Sequence, residues 1–102
     1  MYAKINKRTQ AEYESRLKKG GEEGLYRFVV GQAIIQLKEI DHPDILILDH
    51  ADAFFAAYRR TGDENNFIIG RILRRAAHRL HRELHRLYID YPDNGRFLRL
   101  VK

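Results

Sequence analysis

The sequence predicts a mainly all-α fold, a four-helix antiparallel bundle with a short C-terminal β-hairpin or irregular tail. Three observations predict it. Apolar residues recur at intervals of three and four along most of the chain. The recurrence is broken at Gly20-Gly21, at Asp41-His42-Pro43 and at Thr61-Gly62-Asp63, each a stop or start signal. The longest uninterrupted stretch, from Glu64 to Leu87 or Tyr88, contains no proline.

The elements follow in order. Thr9-Gln10-Ala11-Glu12 has capping-box spacing and places a first short helix from Thr9 to the glycine pair. A second helix is expected over 22–40. Its apolar residues, among them Leu25, Phe28, Val29, Ala33, Ile34, Leu37 and Ile40, cover more than half of its circumference. So wide an arc implies packing from several sides, which makes it the expected central helix. A third helix starts at Pro43, since proline suits a first helical turn, and runs to Arg60. The run Ile45-Leu46-Ile47-Leu48-Asp49 also fits a buried strand ending in an acid, but no phosphate-binding glycine loop accompanies it. Helix is the better reading. Gly62 ends this element and Asp63 caps the fourth helix. Beyond it, Tyr91-Pro92-Asp93-Asn94-Gly95 separates two runs rich in β-formers, 87–91 and 97–101, which suggests a terminal hairpin.

With 102 residues, 44% hydrophobic and 32% charged, the chain matches one globular domain. No apolar run reaches the roughly 18–20 residues of a membrane span. Cysteine is absent, so disulfides, thiolate nucleophiles and Cys-based zinc sites are excluded. The N-terminus is charged rather than signal-like, and a cytoplasmic location is expected.

The net charge of +5 is unevenly spread. Residues 1–38 hold eight Lys or Arg against four Glu, residues 39–66 two against seven acids, and residues 67–102 nine against three. The basic end is carried by the fourth helix. At about 100° per residue, Ile69, Leu73, Ala76, Leu80, Leu84 and Leu87 form its core stripe. Arg71, Arg74, His78, Arg82 and His85 then fall within roughly 80° on the opposite side, with Arg75 and Arg86 at one edge and His81 at the other. Like charges stand at i,i+4 in Arg71/Arg75, Arg75/Arg79 and Arg82/Arg86, an arrangement that costs a few tenths of a kcal/mol per pair unless neutralised. The neutralising group is an acid of the same chain (Glu39, Asp44, Asp49 and Asp52 are the candidates), a polyanion, or an acidic partner surface.

The leading expectation is a small basic binding protein that associates with nucleic acid through Arg71, Arg74, Arg75, His78, Arg82, His85 and Arg86. A straight helix fits the major groove of B-DNA. A helix-turn-helix reader is disfavoured, because Tyr58 occupies the tight spot where a small residue belongs and Asp63, one residue after Gly62, a position that should be buried. The alternative is an adaptor or inhibitor docking on an acidic protein, as a homodimer in one form, with Tyr2, Tyr13, Tyr26, Tyr88 and Tyr91 as exposed aromatic contacts.

His78, His81 and His85 share one helix side, a spacing at which a metal bridges two imidazoles. Their arginine neighbours disfavour a cation, so no metal is assigned. His42 is expected to cap or flank the third helix and His50 to be a partly exposed polar residue. Six residues intervene between Arg71 and His78, and five between Arg75 and His81 and between Arg79 and His85. This spacing resembles the Arg-x(4–6)-His element of HEPN domains, which are small helical ribonucleases. The resemblance implies metal-independent RNA cleavage at a dimer interface, the His handling the 2′-hydroxyl proton and the Arg stabilising the phosphorane charge. The chain departs from that pattern at Ile72, where the family carries a polar residue, and in its short length. Binding rather than catalysis is therefore expected, with no catalytic residue and no cofactor assigned.

Overall fold

Asn6 opens the first helix. Its side-chain oxygen accepts a hydrogen bond from the Thr9 amide at 2.8 Å, so the cap lies three residues ahead of the Thr9 box. The computed structural model describes the backbone of residues 5–90 and the side chains of residues 5–85. Within it run α1 (Lys7–Gln36), α2 (Pro43–Thr61) and α3 (Glu64–Asp90).

Three helices thus stand where a four-helix bundle was expected, and the all-α class alone holds. The stretches expected as first and second helices join without a loop in α1, with the expected break kept at the non-helical Gly21. That residue has φ 70° and ψ −168°, a region essentially restricted to glycine. The bend is sharp. Arg16 and Phe28 would be about 18 Å apart along a straight helix, yet the Arg16 guanidinium lies 4.3 Å from the Phe28 ring centroid. The two halves of α1 therefore fold back on one another without an intervening loop. The second half ends at Gln36 rather than at Ile40, with the Leu37 amide bonding back to Ala33 and Ile34.

α2 begins at Pro43 and is helical through Ile45-Leu46-Ile47-Leu48-Asp49, which removes the strand alternative. His42 holds the N-cap position but makes no side-chain capping bond. Gly62, at φ 73°, closes α2 with its amide on the Tyr58 carbonyl at 2.7 Å. Asp63 then caps α3, accepting from the Asn65 amide at 3.0 Å.

The expected hairpin fails over 87–90, which continue α3. Extending an existing helix adds a hydrogen bond per residue, whereas a lone hairpin is marginal in water. The remainder of that turn and its second strand lie outside the described residues.

α3 is the central element, packed against both α2 and α1, while those two touch little. Ile69, Leu73, Ala76, Leu80 and Leu84 are all buried, as the periodicity required. The wide apolar arc of 22–36 is only partly used: Leu25, Val29 and Ala33 are buried, but Ile34 and Ile35 are exposed. It flanks the core instead of filling it. Phe54 of α2 and Tyr13 and Tyr26 of α1 complete the packing. Among the described residues no helix is long and apolar enough to cross a membrane.

Tyr13 also ties the first half of α1 to α2, through a 2.9 Å hydrogen bond between its hydroxyl and His50 Nδ1. Burial pushes the Tyr13 hydroxyl up to about 12. Burial also holds His50 below its ordinary 6.5, outweighing the opposing pull of Asp49. Both groups are neutral near pH 7. Because the folded-state pKa of His50 is depressed, its stabilising contribution is present above about 6.5 and is lost as pH falls through the lower folded value. Melting temperatures measured between pH 8 and pH 5 should therefore fall more steeply for the native chain than for His50→Gln. Superimposable profiles would show that His50 does not carry this dependence.

Candidate nucleic-acid interface

The stripe opposite the core of α3 faces solvent. Arg71, Arg74, Arg75, His78, Arg82 and His85 are all exposed. Arg86 lies on the helix, but its side chain is outside those described.

Three zones differ in what the cations touch. On the edge facing α1, Arg75 stacks over Tyr26, its guanidinium carbon 4.2 Å from the ring centroid. Arg79 Nη1 donates to the Tyr26 hydroxyl at 3.3 Å, a bond that holds its pKa above the ordinary arginine value. Arg71 reaches Glu22 at 3.2 Å and Arg75 reaches Glu23 at 4.0 Å. The counter-charge for these two thus comes from the bend in α1, not from Glu39, Asp49 or Asp52. Periodicity could not show this, because the bend at Gly21 is what sets Glu22 and Glu23 beside α3.

These pairs neutralise little. All four side chains are more than half exposed, and ion pairs of that kind contribute about 0–1 kcal/mol.

Along the crest, His78 and Arg82 make no ion pair or hydrogen bond with any described residue. They are the most freely presented positions of the stripe. On the edge facing α2, Arg74 lies over the Phe55 ring at 5.8 Å and has no carboxylate partner among the described residues. His81 turns away from the stripe: its Nδ1 donates to Asp44 Oδ2 at 3.0 Å. Asp44 is buried in the first turn of α2, with its other oxygen unpartnered. His85 stacks on His81, with ring centroids 6.3 Å apart. No group of three His, Asp or Glu side chains among the described residues is placed to hold a metal ion.

Phe67 is a residue that the charge pattern missed. It precedes Arg71, Arg74 and His78 by four, seven and eleven positions, which sets it on the same arc of the helix. At 41% exposure it is the exposed aromatic of this face. Its ring packs against Phe55 at 5.9 Å and Tyr58 at 5.3 Å between centroids. An open groove of about 370 Å³ follows, with Phe55 and Phe67 as apolar walls and Arg71, Arg74, Arg75 and His78 around them. Gly70 admits one of these walls: a Cβ there would sit 2.9 Å from the Phe55 ring, so its absence lets Phe55 pack close against α3.

Two of the five tyrosines expected as exposed contacts for a protein partner are not exposed. Tyr13 and Tyr26 are each only 7% exposed and belong to the core. Tyr2, Tyr88 and Tyr91 lie outside the described side chains. No family model, curated protein or solved structure matches the chain.

Proposed function

We propose that the chain binds nucleic acid through the solvent face of α3, contacting the phosphate backbone rather than reading base-pair edges. The observation that carries this reading is the exposed row of Arg74, His78 and Arg82, for which no carboxylate partner occurs among the described residues. Arg71 and Arg75 extend the row, each held only by a solvent-exposed glutamate that a phosphate readily displaces. Arginine is suited to this task, since its planar fork engages phosphate oxygens two at a time. Burial of Tyr13 and Tyr26 removes two of the five tyrosines on which the acidic-protein alternative drew.

The experiment is a salt titration of binding to mixed-sequence DNA and RNA. Engagement of four phosphates by Arg71, Arg74, Arg75 and Arg82 predicts a log–log slope of about −4, at roughly 0.9 per contact. Absence of binding at about 50 mM salt, the low end of the range over which phosphate contacts are read, removes the reading. A slope near zero removes the phosphate contacts even where binding persists.

A further inference from the structure

We infer that the groove at the start of the basic stripe is a stacking platform for an unpaired base, which makes the ligand single-stranded nucleic acid. This rests on the phosphate-binding reading above and specifies its ligand.

The argument begins with the exposed Phe67 ring. Contacts with Phe55 and Tyr58 use only part of the ring, and Phe67 stays 41% exposed beside the arginines. The two neighbouring rings meet Phe67 at tilted angles of 60° and 50°, and the ring surface left to solvent is apolar and planar, which suits a planar ligand. The groove walls are apolar and its rim is cationic, with the Arg71 guanidinium 5.9 Å from the Phe67 centroid and Arg74 5.8 Å from Phe55. Proteins that bind single strands combine these two elements, an aromatic surface for a base and cations for the flanking phosphates.

A duplex satisfies only half of the arrangement. Its bases are stacked internally, so none is free to stack on Phe67, which would face sugars and phosphates. The helical repeat supplies the direction of the strand. Arg71, Arg74, His78 and Arg82 follow Phe67 along α3 at about 1.5 Å per residue, so a base on Phe67 leaves the next phosphates to run along the crest.

Two variants test this with ten-nucleotide mixed-sequence DNA and RNA single strands and the corresponding duplexes. The chain has no tryptophan, so Phe67→Trp introduces a single selectively excited reporter. Single strands of either sugar should quench it, and duplexes should not. Phe67→Ala should weaken single-strand binding by about tenfold, within the range one stacked base supplies, with an unchanged salt slope and a duplex affinity altered less than about twofold. An unquenched reporter in Phe67→Trp, or equal losses on single strands and duplexes in Phe67→Ala, overturns the inference while leaving phosphate binding intact. Failure of every oligonucleotide to bind at about 50 mM salt overturns both readings. Polyglutamate that binds as tightly, and is weakened as much by Phe67→Ala, assigns the groove to an acidic protein instead. Unaltered melting of Phe67→Ala establishes that any loss comes from the ligand contact.

Discussion

Replacement of Arg74 and Arg82 together by glutamate is expected to weaken oligonucleotide binding by about a hundredfold at about 100 mM salt, with the fold intact. The magnitude follows from two charge-assisted hydrogen bonds to phosphate, each contributing about 1.5 kcal/mol, and about 1.4 kcal/mol per tenfold in affinity. The salt slope should fall by about two, because two phosphate contacts are lost. Stability should change little. Both side chains are exposed, and neither has an ion pair among the described residues. Surface changes of this kind stay within about 0.5 kcal/mol. The melting temperature reports the second quantity and fluorescence anisotropy the first. Undiminished binding by the double variant would move the interface off α3, to the lysines and arginines of α1 or to the basic residues beyond position 95.

A second large effect is expected at Gly21. Gly21→Ala should destabilise the chain by about 3 kcal/mol, the upper end of the cost of a residue forced into a sparsely populated backbone region. The space around Gly21 is open, so the cost is one of backbone conformation and not of a clash. Gly20→Ala is the control. Gly20 lies next to it, has nothing within 4 Å of where a Cβ would stand and lacks the positive φ. Alanine there should stabilise the helix by up to about 1 kcal/mol, because glycine is the poorer helix former. Chemical denaturation of both variants reads the difference directly. Equal effects at the two sites would mean that the reversal of α1 does not depend on the Gly21 conformation. If the bend opens, Glu22 and Glu23 leave Arg71 and Arg75, so the same substitution frees part of the basic stripe.

The helical class and the orientation of α3 were legible in the residues themselves. Ile69, Leu73, Ala76, Leu80 and Leu84 recur at helical spacing and are buried together, and that placement turns Arg71, Arg74, His78 and Arg82 outward. Pro43, Gly62 and Asp63 mark their boundaries because each acts through its own backbone or side chain within one turn. Such signals need no knowledge of distant parts of the chain.

Other features depended on what meets what across the fold. A Gly-Gly pair reads as the end of a helix, but whether it leads into a loop or an immediate reversal depends on the packing of both halves against α3. The identities of the counter-charges were equally hidden. Glu22 and Glu23 are 49 and 52 positions from their arginine partners, and no periodicity reports a distance of that kind. Phe67 stood on the basic arc in plain sight, yet only the rings of Phe55 and Tyr58, and the missing side chain at Gly70, decide that it is held half-exposed at the edge of a groove. The chain by itself determined which face of each helix avoids water, because that is a property of neighbouring residues. The tertiary structure decided which charges are answered and which ring is left open, because those are properties of surfaces brought together from remote parts of the sequence.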